Sequence, residues 1–220
     1  MWQCIIFDMD GTLTQTNQLI FDSFNHIAEV YQGKRYSEPE ITAMFGPPEE
    51  GALMGIVGES RIVPALSEYL AFYKGNHARL AKVYPGIREL LELVKSKGRT
   101  IGLFTGKGRA TTMITLREFG LTDYFDAVVT GNDVARHKPS GEGILKILDR
   151  FGLEPRQALM VGDSVADLRA SREAEVAMAA VLWDSYGKER LVAMSPDYQF
   201  GDVPTFHSWL KTHIDSRPAS

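Results

Sequence analysis

Apolar residues along this chain fall either into short runs or into longer stretches with helical spacing, and the two kinds alternate through its second half. Residues 4–7, CIIF, form a short run that ends at once in acid and turn residues, which predicts a buried strand. Residues 18–33 place Leu19, Phe24, Ile27 and Val30 at helical spacing. The next stretch, YSEPEITAMFGPPEEGALMGIVG, is broken by Pro39 and by Gly46-Pro47-Pro48, which predicts short helices separated by loops. Residues 63–80 predict another helix, with Leu66, Leu70 and Tyr73 on one side. No strand pattern occurs between Thr14 and Val83.

Past Tyr84-Pro85-Gly86 the pattern changes. Residues 87–97 read as a helix stopped by Gly98. TIGLFTG reads as a strand, 110–119 as a helix before Gly120, FDAVVTG as a strand and 141–151 as a helix before Gly152. ALMVGD, residues 165–174 and VAMAAVLW continue as strand, helix and strand. This alternation predicts an α/β fold built on a doubly wound parallel sheet. Residues 1–14 and 83–220 would form its core, and 15–82 an inserted helical cap of about 70 residues, long enough for a small domain.

Composition narrows the partners. The chain has 220 residues, 44% apolar and 24% charged, as expected of a soluble globular protein. Its formal net charge is -4 and its Lys and Arg are scattered, which argues against nucleic-acid and anionic-membrane partners. No segment approaches the roughly 20 apolar residues of a membrane helix. Cys4 is the single cysteine and sits inside the first strand, so it reads as a small buried hydrophobe in a reducing compartment. The N-terminus reaches Asp8 before any signal-like apolar region develops, and a cytoplasmic protein, monomer or homodimer, is expected. The tryptophans are dispersed and read as packing residues, and the histidines show no metal-ligand spacing. His137 abuts Lys138 and fits either a site wall or a solvated loop.

Parallel sheets bind ligands at the carboxyl ends of their strands. Asp8 and Asp10 follow the first expected strand, and Thr105, Gly106 and Lys107 follow TIGLF. Lys138 lies a few residues past DAVVT, and Asp163 and Asp167 follow ALMV. Carboxylates gathered at one edge suit a hard divalent cation such as Mg²⁺, with Asp8 and Asp163 as ligands. Lys138 would offset phosphoryl charge, while Thr105 Oγ1 and amides near Met9, Asp10, Gly11 and Gly106 would bond its oxygens. A carboxylate against a phosphoryl group can attack it, and a second can serve as acid and base; Asp8 and Asp10 supply that pair. Two roles fit Glu49 and Glu50: starting the next helix, where acids suit its dipole, or facing the site from the Pro47-Pro48 loop. Facing the site, they would repel a carboxylated substrate unless Arg61 or a cap lysine offset them, and would favour a neutral or cationic leaving group.

DMDGTLT, FTGK, HKPS and GDSVAD, in that order and each after an expected strand, resemble the four motifs of the haloacid dehalogenase (HAD) superfamily. The resemblance spans the whole chain and is nearest the phosphoglycolate phosphatase, pyrophosphatase and β-phosphoglucomutase branch. It implies a Rossmann-like core with a helical cap; since the core motifs specify only a phosphoryl group, substrate specificity is expected from the cap, with the loop of Pro47, Pro48, Glu49 and Glu50 as the candidate to face the site. It implies Asp8 as nucleophile and Mg²⁺ ligand, and Asp10 as acid/base that gives its backbone oxygen to the metal. By the same resemblance Thr105 and Lys138 hold the phosphoryl group, Lys107 is a basic position of the branch, Asp163 is a metal ligand and Asp167 either supports the metal ligands from behind or reaches the metal through a water. Gln15 and Ser140 depart from common residues of the branch and leave the subfamily open. The implied activity is Mg²⁺-dependent hydrolysis of a small phosphorylated metabolite, a phosphomonoester or pyrophosphate, through an aspartyl-phosphate. The alternatives are a phosphosugar mutase and a non-catalytic phosphate-binding protein. A dehalogenase is disfavoured because Asp10 is present.

Overall fold

The computed structural model describes residues 2–215. The chain runs β1 (Cys4–Phe7), β2 (Thr14–Gln15), α1 (Asn17–Gln32), α2 (Glu38–Thr42), α3 (Glu49–Val57), α4 (Ile62–Leu80) and β3 (Lys82–Val83). It continues with α5 (Ile87–Ser96), β4 (Thr100–Phe104), α6 (Arg109–Glu118), β5 (Ala127–Val129), α7 (Glu142–Phe151) and β6 (Ala158–Gly162). It ends with α8 (Val165–Glu173), β7 (Ala177–Val181), α9 (Lys188–Ala193), β8 (Tyr198–Phe200) and α10 (Val203–His213).

The main sheet has the order β5-β4-β1-β6-β7-β8, with every neighbouring pair parallel. β1 is apolar throughout because both of its faces are covered. Ile5 and Phe7 pack with Leu90, Leu116 and Phe206, whereas Cys4 and Ile6 pack with Ile144, Ile147 and Ala170. The strand order turns around beside β1: β4 and β5 lie on one flank, β6, β7 and β8 on the other. Such a reversal opens a crevice at the carboxyl ends of the strands. The α/β alternation expected from the sequence is therefore present. Gly152, with φ 62°, ends α7 in the left-handed conformation that glycine adopts without steric cost.

Helices α1–α4 form a second layer with its own apolar cluster, which includes Leu19, Phe24, Ile27, Leu53, Tyr69 and Tyr73. Val30 does not join it and is 54% exposed, because the buried stripe of α1 follows Phe24, Ile27 and Ala28 instead. The chain enters and leaves this layer through an antiparallel ribbon, Thr14 opposite Val83 and Gln15 opposite Lys82. This ribbon corrects the expectation of no strand there; two-residue strands carry no periodic signal. β8, α9 and α10 also lay outside the sequence reading. α10 carries Trp209 against Trp2, ring centroids 5.4 Å apart, so two tryptophans far apart in sequence share one aromatic cluster. Cys4 is fully buried, as expected, and burial pushes its thiol up to about 12. Among the described residues no helix is long and apolar enough to cross a membrane.

Candidate active site

The site begins where β1 stops. The N–H of Asp8 donates to Val161 O at 2.8 Å, so the chain still follows the sheet there. It then folds back on itself, and Met9 O accepts from the amides of Leu13 (2.8 Å) and Thr14 (3.0 Å). The Met9 side chain is buried in the core and anchors the turn. Gly11 has φ +80°, and a Cβ on it would stand 2.5 Å from Asp163 Oδ2. Only glycine lets the β1 turn and the end of β6 come this close. The Gly11 N–H donates to Thr14 O at 2.9 Å and so serves the turn.

Lys138 lies at the centre of the first cluster. Its Nζ donates to Asp8 Oδ1 (2.7 Å), Asp167 Oδ1 (2.6 Å) and Phe104 O (2.7 Å), and its side chain is 7% exposed. Burial opposes its charge, but the carboxylates of Asp167 and Asp8 outweigh burial and hold its pKa above the ordinary lysine value. The other oxygen of Asp167 accepts from Ser164 N (3.0 Å) and Oγ (2.6 Å) in a capping box that starts α8. Asp163 is less engaged, with Thr12 Oγ1 donating to it at 3.5 Å. Carboxylate oxygens of Asp8, Asp163 and Asp167 lie within 4.8 Å of one another. Burial, and then the neighbouring Asp8 and Asp167, push Asp163 well above the ordinary aspartate value. Burial also lifts Asp8 to about 7, against the pull of Lys138. Three buried carboxyls therefore lie together with only Asp8 and Asp167 paired to an ammonium group, a donor set that fits a hard, oxygen-seeking divalent cation.

A second pair stands beside the first. Lys107 Nζ donates to both oxygens of Asp10, at 3.1 and 3.2 Å, and lies 4.8 Å from the centre of the Tyr73 ring. Thr16 Oγ1 donates to the same carboxylate. Burial opposes the Lys107 charge too, and Asp10, Tyr73 and Glu49 outweigh it. Thr105 is buried at the end of β4, where its Oγ1 accepts from Lys107 N at 3.2 Å. Asp8, Asp10, Thr105, Gly106, Lys107, Lys138, Asp163 and Asp167 all line one cavity of about 550 Å³.

The α2–α3 loop divides. Gly46 and Glu49 line the cavity, whereas Pro47, Pro48 and Glu50 are not among its lining residues. Pro48 packs on Gly131, where a Cβ would stand 2.8 Å from its Cγ. Glu49 both starts α3 and reaches the α/β layer, accepting from Gly108 N (2.7 Å) and from Thr111 Oγ1. Burial raises its pKa, and the nearby cation that pulls it back is Lys107. Arg61, the partner considered from sequence, donates instead to Val57 O at 3.0 Å. His137 is half-buried and is not among the cavity-lining residues. The sequence reading missed Thr12 and Thr16, although both hydroxyls sit within the DGTLTQT run beside the acids. It also missed Tyr73, which reads only as an apolar position of α4.

A parallel sheet with paired acids and lysines at its carboxyl edge, under a helical layer, defines a phosphoryl-transfer class of α/β protein. Residues 5–181 match the haloacid dehalogenase-like hydrolase family. Pyrophosphatase PpaX of Bacillus cereus is 34% identical over 194 residues, covering 88% of this chain and 89% of that protein. In fold, the chain is similar to the "predicted phosphoglycolate phosphatase" of Haemophilus somnus (TM-score 0.83, 23% identity, 94% of this chain and 97% of that one). It is also similar to phosphate-bound CbbY of Rhodobacter sphaeroides (TM-score 0.78, 21% identity, 91% and 94%). The chain belongs to the haloacid dehalogenase-like hydrolases, and within them it is a phosphatase-type enzyme.

Proposed function

We propose that the protein hydrolyses a small phosphomonoester or pyrophosphate through a phosphorylated Asp8. What carries this reading is Lys138 bridging Asp8 and Asp167 while Lys107 clamps Asp10, two residues further along the same turn. An Asp8 oxygen attacks phosphorus and the bond to the leaving oxygen breaks, with Asp10 giving that oxygen a proton. Asp10 then takes a proton from water as the water attacks phosphorus. This cleaves the aspartyl-phosphate, frees inorganic phosphate and restores Asp8. Lys138 and Thr105 hold the phosphoryl oxygens in both steps. Asp8, Asp163 and the Asp10 carbonyl would hold Mg²⁺, with Asp167 acting through a water; the ion supplies positive charge against the phosphoryl oxygens.

Residues 15–82 act in this reading as a cap domain over a core of 1–14 and 83–220. Their separate apolar cluster and the β2–β3 ribbon at their base support that division. The pyrophosphatase name of the Bacillus cereus relative supports a phosphoanhydride among the substrates. A buried, reduced Cys4 is in keeping with the cytoplasm.

The test is phosphate release from pyrophosphate, phosphoglycolate and other small esters, with Mg²⁺ and with EDTA. Release is expected only with the metal. Asp8→Asn is expected to lose at least roughly 1,000-fold in kcat while keeping its circular dichroism spectrum. Full turnover by that variant would rule the Asp8 mechanism out, and no release from any compound by the parent would leave a mutase or a site that merely binds phosphate.

A further inference from the structure

The cavity wall opposite the acids is apolar and aromatic. Ile20, Phe24 and Tyr69 line it from α1 and α4, with the Phe24 and Tyr69 ring centroids 5.1 Å apart. Phe45 and Tyr186 stand at its mouth, 42% and 56% exposed. Each meets the buried Phe21, at centroid distances of 6.3 and 6.0 Å, so the rim is built from both layers of the molecule. The loop bearing Tyr186 is tied to α1 by Asn17 Nδ2, which donates to Asp184 Oδ2 at 3.3 Å. Large apolar side chains kept exposed around a cleft mark it for a partly apolar ligand.

Charge on this wall points the same way. Among the described residues, those that line the cavity from α1–α4 and their loops include Glu49 and no cation. Lys107 and Lys138 are already engaged by Asp10, Asp8 and Asp167. Arg169 and Arg190 are exposed at the rim, where they suit the steering of an incoming phosphate ester. A leaving group with its own negative charge would be dehydrated against aromatic rings and would face Glu49. The cavity of about 550 Å³ is also far larger than pyrophosphate requires and falls within the roughly 300–1,000 Å³ typical of organic-ligand sites.

One polar group is set into this wall. The Tyr69 hydroxyl is fully buried and has no hydrogen-bond partner among the described residues. Buried hydroxyls are normally paired, so an unpaired one on a residue that lines the cavity can take a ligand partner once the side chains around it shift. Burial, and then Glu49, keep it protonated, so it can both donate and accept.

We propose that the substrate is the phosphomonoester of an uncharged alcohol with an apolar or aromatic face, and that the Tyr69 hydroxyl hydrogen-bonds a polar group on that alcohol. Tyr69 is thus a specificity-determining residue of the site, and the proposal rests on the phosphoryl-transfer reading of Asp8. The test compares kcat/KM for pyrophosphate, phosphoglycolate, phenyl phosphate and the ortho-, meta- and para-hydroxymethylphenyl phosphates, all with Mg²⁺. The uncharged aryl esters are expected to exceed pyrophosphate and phosphoglycolate by about tenfold or more. One hydroxymethyl ester is expected to exceed phenyl phosphate, and Tyr69→Phe is expected to reduce that ratio by about tenfold. Tyr69→Phe should unfold at the same temperature or higher, since it removes an unpaired buried group; this separates recognition from folding. If pyrophosphate or phosphoglycolate is preferred and turned over in an Asp8-dependent way, this proposal falls and the phosphohydrolase reading stands. An unaltered ratio in Tyr69→Phe also overturns it. If no compound releases phosphate, or Asp8→Asn is as active as the parent, both readings fall.

Discussion

Gly11 and Asp163 show how single residues define the site. The carboxylate occupies the space that a Cβ at position 11 would need, and the turn requires positive φ there. Gly11→Ala is expected to lose about 1–2 kcal/mol from the left-handed backbone alone. It should also displace Asp163 and weaken Mg²⁺ binding; urea unfolding and calorimetric Mg²⁺ titration check both effects. Wild-type metal affinity in this variant would show that the close approach is not needed. At this scale much was legible in the sequence. Asp8, Asp10, Thr105 and Asp163 each sit at or just past the end of a recognisable apolar run, and Lys138 a few residues beyond another, so position along the chain already implied position at the sheet edge. The Tyr69 hydroxyl was not legible, because a tyrosine at a buried helical position looks like any other packing residue.

Between elements, the link that matters most joins α3 to α6. The first turn of α6 has no side-chain cap of its own, and Gly108 N and Thr111 Oγ1 instead donate to Glu49. A carboxylate from the helical layer thus satisfies the amide that opens a helix of the α/β layer. A second link runs from Tyr73 OH to Thr115 Oγ1, at 2.8 Å. Glu49→Ala is expected to cost about 1–2 kcal/mol, with Glu49→Gln costing less because an acceptor oxygen remains. Chemical denaturation of the two variants measures this, and equal losses would contradict the capping role. The sequence offered Glu49 as an acid at the start of α3 or at the site, but not as a cap for α6, since a cap supplied by another element has no local signature. The termini of α9, β8 and α10 were equally hidden. A three-residue edge strand such as Tyr198–Phe200 is defined by its neighbour β7 rather than by its own pattern.

Over the whole molecule, the buried acids and the Mg²⁺ proposed to bind them are expected to make stability depend on pH and metal together. A carboxyl whose pKa is higher in the folded chain binds its proton more tightly there, so its contribution favours folding at low pH and fades as pH rises through the folded value. For Asp8 that value is about 7, and Asp163 and Glu49 are shifted in the same direction by burial. Metal-free protein is therefore expected to lose thermal stability from weakly acidic to weakly alkaline pH. Mg²⁺ should raise the melting temperature more at about pH 8, where the acids are ionised, than at about pH 6. Thermal scans with EDTA and with Mg²⁺ at both pH values check this, and equal increments would exclude the shifted acids as the metal-binding groups. The sequence by itself determined the alternation of strand and helix, the run of helices between Asn17 and Leu80 and the acids that follow strands, because each is written in local runs of a few residues. Tertiary structure alone decided which carboxylates share an ammonium group, that Lys107 rather than Arg61 stands near Glu49, and that a tyrosine with an unpaired buried hydroxyl lines the same cavity as the acids. Those relations join residues such as Asp10 and Lys107, or Asp8 and Lys138, that are remote along the chain, and their energies depend on distance and burial.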